Sequence, residues 1–218
     1  MDPVSVKYRA IAGRRARIRV QVDDMGMNAS GQKSLPAIGF LTVTQDDEHG
    51  FFGGYLILNS MGRPLEFHCT APVRPNRAQE ILYGPTLEPY LCGERIGQTL
   101  LGKSKVTPKF AVTDLESVLA ARPFVSVPLA LVLGRQEDVA VAAPDPPEAW
   151  RRIDGPAETM SPPRGLQRMN VAGFTVGVSH DKPQDLQRVA DECPQFTEAI
   201  DLSEPFERIR EAIGEARK

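Results

Sequence analysis

Residues 38–73 constrain this chain more than any other stretch. Three apolar runs follow one another there, at residues 38–44, 51–59 and 63–73. Only the short polar segments Gln-Asp-Asp-Glu-His-Gly and Ser-Met-Gly separate them. Connections this short join antiparallel neighbours, because a parallel pair needs a long crossover. The stretch therefore predicts a central three-stranded antiparallel meander, and the rest of the fold has to accommodate it. Around it we expect an α+β architecture: a mainly antiparallel sheet with helices on one face, plus a Pro-rich arm.

Helical signals begin where the third strand ends. Asn76 is a good N-cap, with Gln79 three residues on as a capping box requires and Gly84-Pro85 as the stop, so residues 77–83 read as a two-turn helix. A second helical stretch over 87–101 has Pro89 in its first turn. Gly93 and Gly97 lower its helix propensity and leave one side smooth enough for close packing. Thr113 and Glu116 form a further capping box for a helix ending at Arg122-Pro123. Residues 124–133 read as a buried strand, placed at an edge or a bulge because Pro128 lacks a ladder donor. Near the C-terminus a strand is expected over 171–178. Two amphipathic helices follow, one opened by Pro183 and one capped by Ser203. Towards the N-terminus, residues 7–11 and 16–23 read as strands, and 24–36 as a loop.

Six prolines fall between Pro144 and Pro163. That composition marks a linker or extended arm over 135–168, between an α+β core unit at 1–134 and a C-terminal unit at 169–218 docked on the core. Trp150, the only tryptophan, lies in the arm and is a candidate anchor for a protein partner. The bland alternative is that the arm packs back on its own domain.

At 218 residues the chain can bury a sizeable core without staples. A net charge of −2 gives no global attraction to nucleic acid or anionic lipid. Three cysteines without a CxxC pair do not make a disulfide framework or a zinc site. Residues 1–10 lack the basic-then-apolar pattern of a signal peptide, and no stretch has the length of a membrane span. The expectation is a cytoplasmic protein with no membrane association, no metal and no cofactor.

Three constellations carry chemistry. His68 and Cys69 are adjacent, but on a strand they face opposite ways, so Cys69 belongs with Leu65 and Phe67 on the apolar face. Glu66 and His68 share the polar face, where a carboxylate beside an imidazole makes a candidate general base; an ordinary wet sheet face is the alternative. Arg74, Asn76 and Arg77 flank a helix start, where free N–H groups and guanidiniums favour a phosphate or carboxylate. Arg77 can instead pair with Glu80.

Weaker signals have plainer readings. Gly53-Gly54 reads as a close backbone approach, and residues 46–49 as a solvated turn rather than a metal site. Arg14, Arg15, Arg17 and Arg19 would serve a weak nucleic-acid binder, but neighbouring aspartates dilute them and nucleic acid is not the expected partner. No complete catalytic set can be assembled. The reading that results is a non-catalytic binding or accessory protein engaging a protein partner. The alternative is a small enzyme that holds an anionic substrate with Arg74 and Arg77 and uses His68 as base.

Overall fold

The computed structural model describes residues 35–135 and 165–216. The strands expected at 7–11 and 16–23, the arginines at 14–19, Trp150 and most of the Pro-rich arm lie outside them.

Among the described residues seven strands form one sheet: β1 (Ala37–Asp46), β2 (Gly50–Asn59), β3 (Pro64–Cys69), β4 (Ala111–Thr113), β5 (Leu129–Arg135), β6 (Leu166–Val171) and β7 (Phe174–Ser179). Their spatial order is β3-β2-β1-β4-β5-β7-β6. The meander is present, with β1–β2 and β2–β3 antiparallel. It occupies one flank of the sheet and ends it at β3, rather than standing at the centre. The expectation of a mainly antiparallel sheet needs correction, because the sheet is mixed: β1–β4 and β4–β5 are parallel. The long crossover from β3 to β4 and the shorter one from β4 to β5 supply the chain that parallel pairing demands.

Helices on one face is a second correction. Along β1, Ile38 and Phe40 point to one side and Leu41 and Val43 to the other, and all four are buried. On the first side Ile38, Phe40, Leu56, Val112 and Val176 meet Val189, Phe196, Ile209 and Ile213. Those last four come from the C-terminal helical region, which comprises α3 (Gln184–Glu192), α4 (Pro194–Thr197) and α5 (Glu204–Ala216). On the second side Leu41, Tyr55, Ile57 and Leu131 meet Cys92, Ile96, Leu100, Val118 and Leu119. A strand covered on both faces reads as a nearly continuous apolar run, and residues 37–43 are one, interrupted only by Thr42.

The second layer is irregular. Its elements are a wide-turned π-helix (Pro89–Gly97) running into α2 (Gln98–Leu101), and a 3₁₀-helix (Glu116–Phe124); α1 (Arg77–Tyr83) precedes them and contributes no residue to this core. Gly93 and Gly97 supply the smooth side that their spacing predicts. A Cβ at Gly93 would come 2.6 Å from Ala120 Cβ, and one at Gly97 would come 3.1 Å from Ala121 Cβ. The capping box read at Thr113 does not form, because Thr113 is the last residue of β4. Its hydroxyl instead accepts from Leu115 N–H at 3.2 Å. Pro128 stands just before β5, so its missing N–H removes no ladder bond, and β5 lies inside the sheet between β4 and β7. The single strand expected over 171–178 is a hairpin, β6–β7, turning at Ala172-Gly173 with positive φ at both.

Gly53-Gly54 is the thinnest point of the sheet. A Cβ on Gly53 would lie 2.1 Å from Ile96 Cγ2 on one face, and a Cβ on Gly54 would lie 2.2 Å from Ile209 Cγ2 on the other. The two layers therefore approach β2 back to back, and the glycines serve packing rather than a ligand. A buried ion pair joins the layers near the end of β7. Arg122 of the 3₁₀-helix donates Nε and Nη2 to the two carboxylate oxygens of Asp185 in α3, and Nη1 to Val125 O at 2.7 Å. With its charges paired in this bidentate fashion, it is a structural clamp.

Candidate functional site

The two-residue period of β3 places the side chains as expected. Phe67 and Cys69 pack against the core below α5, and burial pushes the Cys69 thiol up. A raised thiol pKa means less thiolate and a poorer nucleophile. Glu66 and His68 share the opposite face, with His68 Nε2 3.0 Å from Glu66 Oε2. His68 sits across from Tyr55, whose ring lies over Gly39. The Tyr55 hydroxyl is buried with no hydrogen-bond partner among the described residues, and burial pushes its phenol up.

Glu66 has a second set of partners that its neighbours in sequence do not reveal. The segment after α2 folds down on it, with Lys105 N–H donating at 3.0 Å, Val106 N–H at 3.1 Å and Ser104 Oγ at 3.1 Å. Burial pushes the Glu66 carboxyl up, but the hydrogen bonds from His68, Lys105, Ser104 and Val106 outweigh it and hold the group below the ordinary carboxylate range. This is the environment of a carboxylate that stays charged and fastens a loop. Ser104 and His68 both meet the same oxygen of Glu66. In a serine-type triad the histidine stands between hydroxyl and carboxylate, and that order is missing here.

The structure does not bring Arg74, Asn76 and Arg77 together with His68. Asn76 is engaged in its capping box: its side chain accepts from Gln79 N–H at 2.9 Å, and Gln79 Oε1 accepts from Asn76 N–H at 3.0 Å. Arg77 is exposed and pairs with Glu80 at 2.9 Å. The Arg74 stem packs at Gly50, where a Cβ would meet its Cγ at 2.6 Å. Along β2, Gly50 is five residues from Tyr55, the partner of His68, or about 17 Å at strand spacing. The polar turn at 46–49 closes on itself. Asp46 Oδ1 accepts from the N–H groups of Glu48 and His49 and lies 2.8 Å from His49 Nδ1.

The feature that sequence reasoning missed is the outward face of α1. This helix has no buried residue. It holds Ile81 and Leu82 to solvent at 66% and 81% exposure, against the hydrophobic drive to cover them. At its end Tyr83 stacks on Tyr90 of the π-helix, with ring centroids 4.2 Å apart and 26° between planes. Beyond Tyr90 opens a groove of about 510 Å³, lined by Glu94, Arg95, Gln98, Thr99 and Lys103. The residues linking the exposed helix to the groove are thus aromatic, and the groove floor is polar. Periodicity could not reveal this surface, because Ala78, Ile81 and Leu82 have the i, i+3, i+4 spacing of any core stripe.

No group of three or more metal-ligating side chains occurs among the described residues, and none of their helices is long and apolar enough to cross a membrane. No protein-family model, curated protein or solved structure matches the chain.

Proposed function

We propose that this chain is a binding or accessory protein whose docking surface for a protein partner is α1 and the aromatic step beside it. The observation that carries the reading is that α1 forms with both ends specified yet buries none of its own residues, while Ile81 and Leu82 face outward. A helix of two turns is marginal in isolation, so an apolar stripe on one normally exists to be covered. Aromatic and aliphatic side chains at the centre of a contact, with charges at its rim, are the usual anatomy of a protein interface. Trp150 and the Pro-rich arm would add a second anchor to the same kind of partner, and a cytoplasmic location belongs to this proposal.

The enzyme reading has less support. Glu66 is committed to the 104–106 loop, and the Arg74 stem packs at Gly50, about 17 Å along β2 from the partner of His68.

Native mass spectrometry of the tagged chain, recovered gently from its host cell, tests the proposal when wild type is compared with an Ile81→Gln/Leu82→Gln variant. A stoichiometric protein partner present with wild type and missing with the variant is the expected result. A partner retained by the variant, or a lone wild-type chain, would remove α1 from the interface.

A further inference from the structure

Resting on the reading of α1 as a docking surface, we infer the chemistry of the partner: an acidic amphipathic segment that seats apolar side chains on Ile81 and Leu82 and lays carboxylates along the groove at Arg95 and Lys103. Three observations converge on this. The C-terminal end of α1 adjoins the polar groove, because Tyr83 of α1 stacks on Tyr90, which itself lines the groove. Both Arg95 and Lys103 are exposed on the groove wall, and neither forms an ion pair with another described residue. Arg77, Lys109, Arg122, Arg135, Arg208 and Arg210 are each paired with a carboxylate of the chain itself, whereas Arg63, Arg74, Lys105, Arg168, Lys182 and Arg188 also form no ion pair with a described residue, so Arg95 and Lys103 count here because they share one groove. The groove holds one carboxylate, Glu94, against two cations, so its excess is positive on a chain whose net charge is −2.

An acidic segment complements that excess, and a basic one meets it with like charge. The exposed aliphatic pair favours a peptide over an oligonucleotide, since bases stack on rings and gain little from Ile81 and Leu82.

Fluorescence anisotropy with the full chain tests this. Two labelled amphipathic peptides share leucines at i, i+3, i+4 and i+7 and differ only in carrying glutamate or lysine between them. Wild type should bind the glutamate peptide about tenfold more tightly than the lysine peptide at low salt, a gap that narrows as salt rises. An Arg95→Glu/Lys103→Glu variant should invert the preference, and Ile81→Gln/Leu82→Gln should weaken both peptides. Equal binding of the two peptides, no binding of either, or a preference unmoved by charge reversal would overturn the inference. Tighter binding of a single-stranded RNA oligonucleotide to the same residues would do so too. Dimerisation that the Ile81→Gln/Leu82→Gln variant abolishes would overturn it in favour of a second copy of this chain. If the cellular partner is lost with Ile81→Gln/Leu82→Gln but kept with Arg95→Glu/Lys103→Glu, the docking surface stands and only the acidic partner falls.

Discussion

Helices α1 and α5 carry similar apolar stripes and put them to opposite uses. In α5, Phe206, Ile209 and Ile213 repeat at three- and four-residue spacing and are buried against β1 and β2. In α1, Ile81 and Leu82 stand three and four residues after Ala78 and are mostly exposed. Both are short, so neither gains much from helix propensity alone. What separates them is the sheet beneath. Gly54 removes a side chain where α5 has to approach, whereas α1 begins only after the chain has left β3 and has no buried residue. The apolar stripe of α5 is explained by the fold. The stripe of α1 is not, and that surplus motivates the functional reading.

The contrast gives a graded set of expected outcomes. The largest belongs to the packed helix: Ile209→Ala should cost about 2–5 kcal/mol, read as a lower urea midpoint, because the cavity it leaves lies in a core that relaxes only in part. Gly54→Ala comes next, at about 1–3 kcal/mol, since its methyl would lie 2.2 Å from Ile209 Cγ2 and force α5 outward. The double variant Gly54→Ala/Ile209→Ala should be less destabilising than the sum of the two, because the second change opens room for the first.

Glu66→Gln should cost about 2 kcal/mol through the loss of charge-assisted hydrogen bonds to the 104–106 loop. The pH dependence follows from the same bonds. The folded-state pKa of Glu66 lies below its ordinary value, so its contribution is present above that ordinary value and is lost as pH falls through the lowered one. Wild type should therefore lose stability on acidification through and below the usual carboxylate range. Glu66→Gln should show a shallower loss over the same window, measured by thermal unfolding against pH. The smallest effect belongs to the exposed helix: Ile81→Gln/Leu82→Gln should change stability by no more than about 0.5 kcal/mol, because those side chains bury little in the folded chain. A large destabilisation there would mean that α1 is a structural element after all.

Local geometry was readable from the sequence to a useful depth. The Asn76–Gln79 capping box bounds α1 at the residues its spacing implies, and the period of β3 separates Cys69 from His68. What escaped was decided by distant partners. Strand β4 has three residues, too few to show a period, yet it makes both parallel pairings and thereby turns the sheet from antiparallel to mixed. Pro128 looked like a marker of an edge or a bulge because it lacks a ladder donor, but it falls one residue before the ladder. Glu66 could be paired with His68 at two-residue spacing, whereas its contacts with Ser104, Lys105 and Val106 depend on chain closure over about forty residues. The exposed face of α1 was invisible for a different reason. A stripe in sequence records that a surface is apolar and says nothing of what covers it.

The central claim is that α1 exists for a partner, and in-cell photo-crosslinking addresses it most directly. A benzophenone amino acid would be placed at Leu82 on α1 and, as a control, at Glu211, which is exposed on α5. We predict one dominant crosslinked protein from position 82 and none from position 211. No crosslink from position 82, or the same products from both positions, would contradict the account.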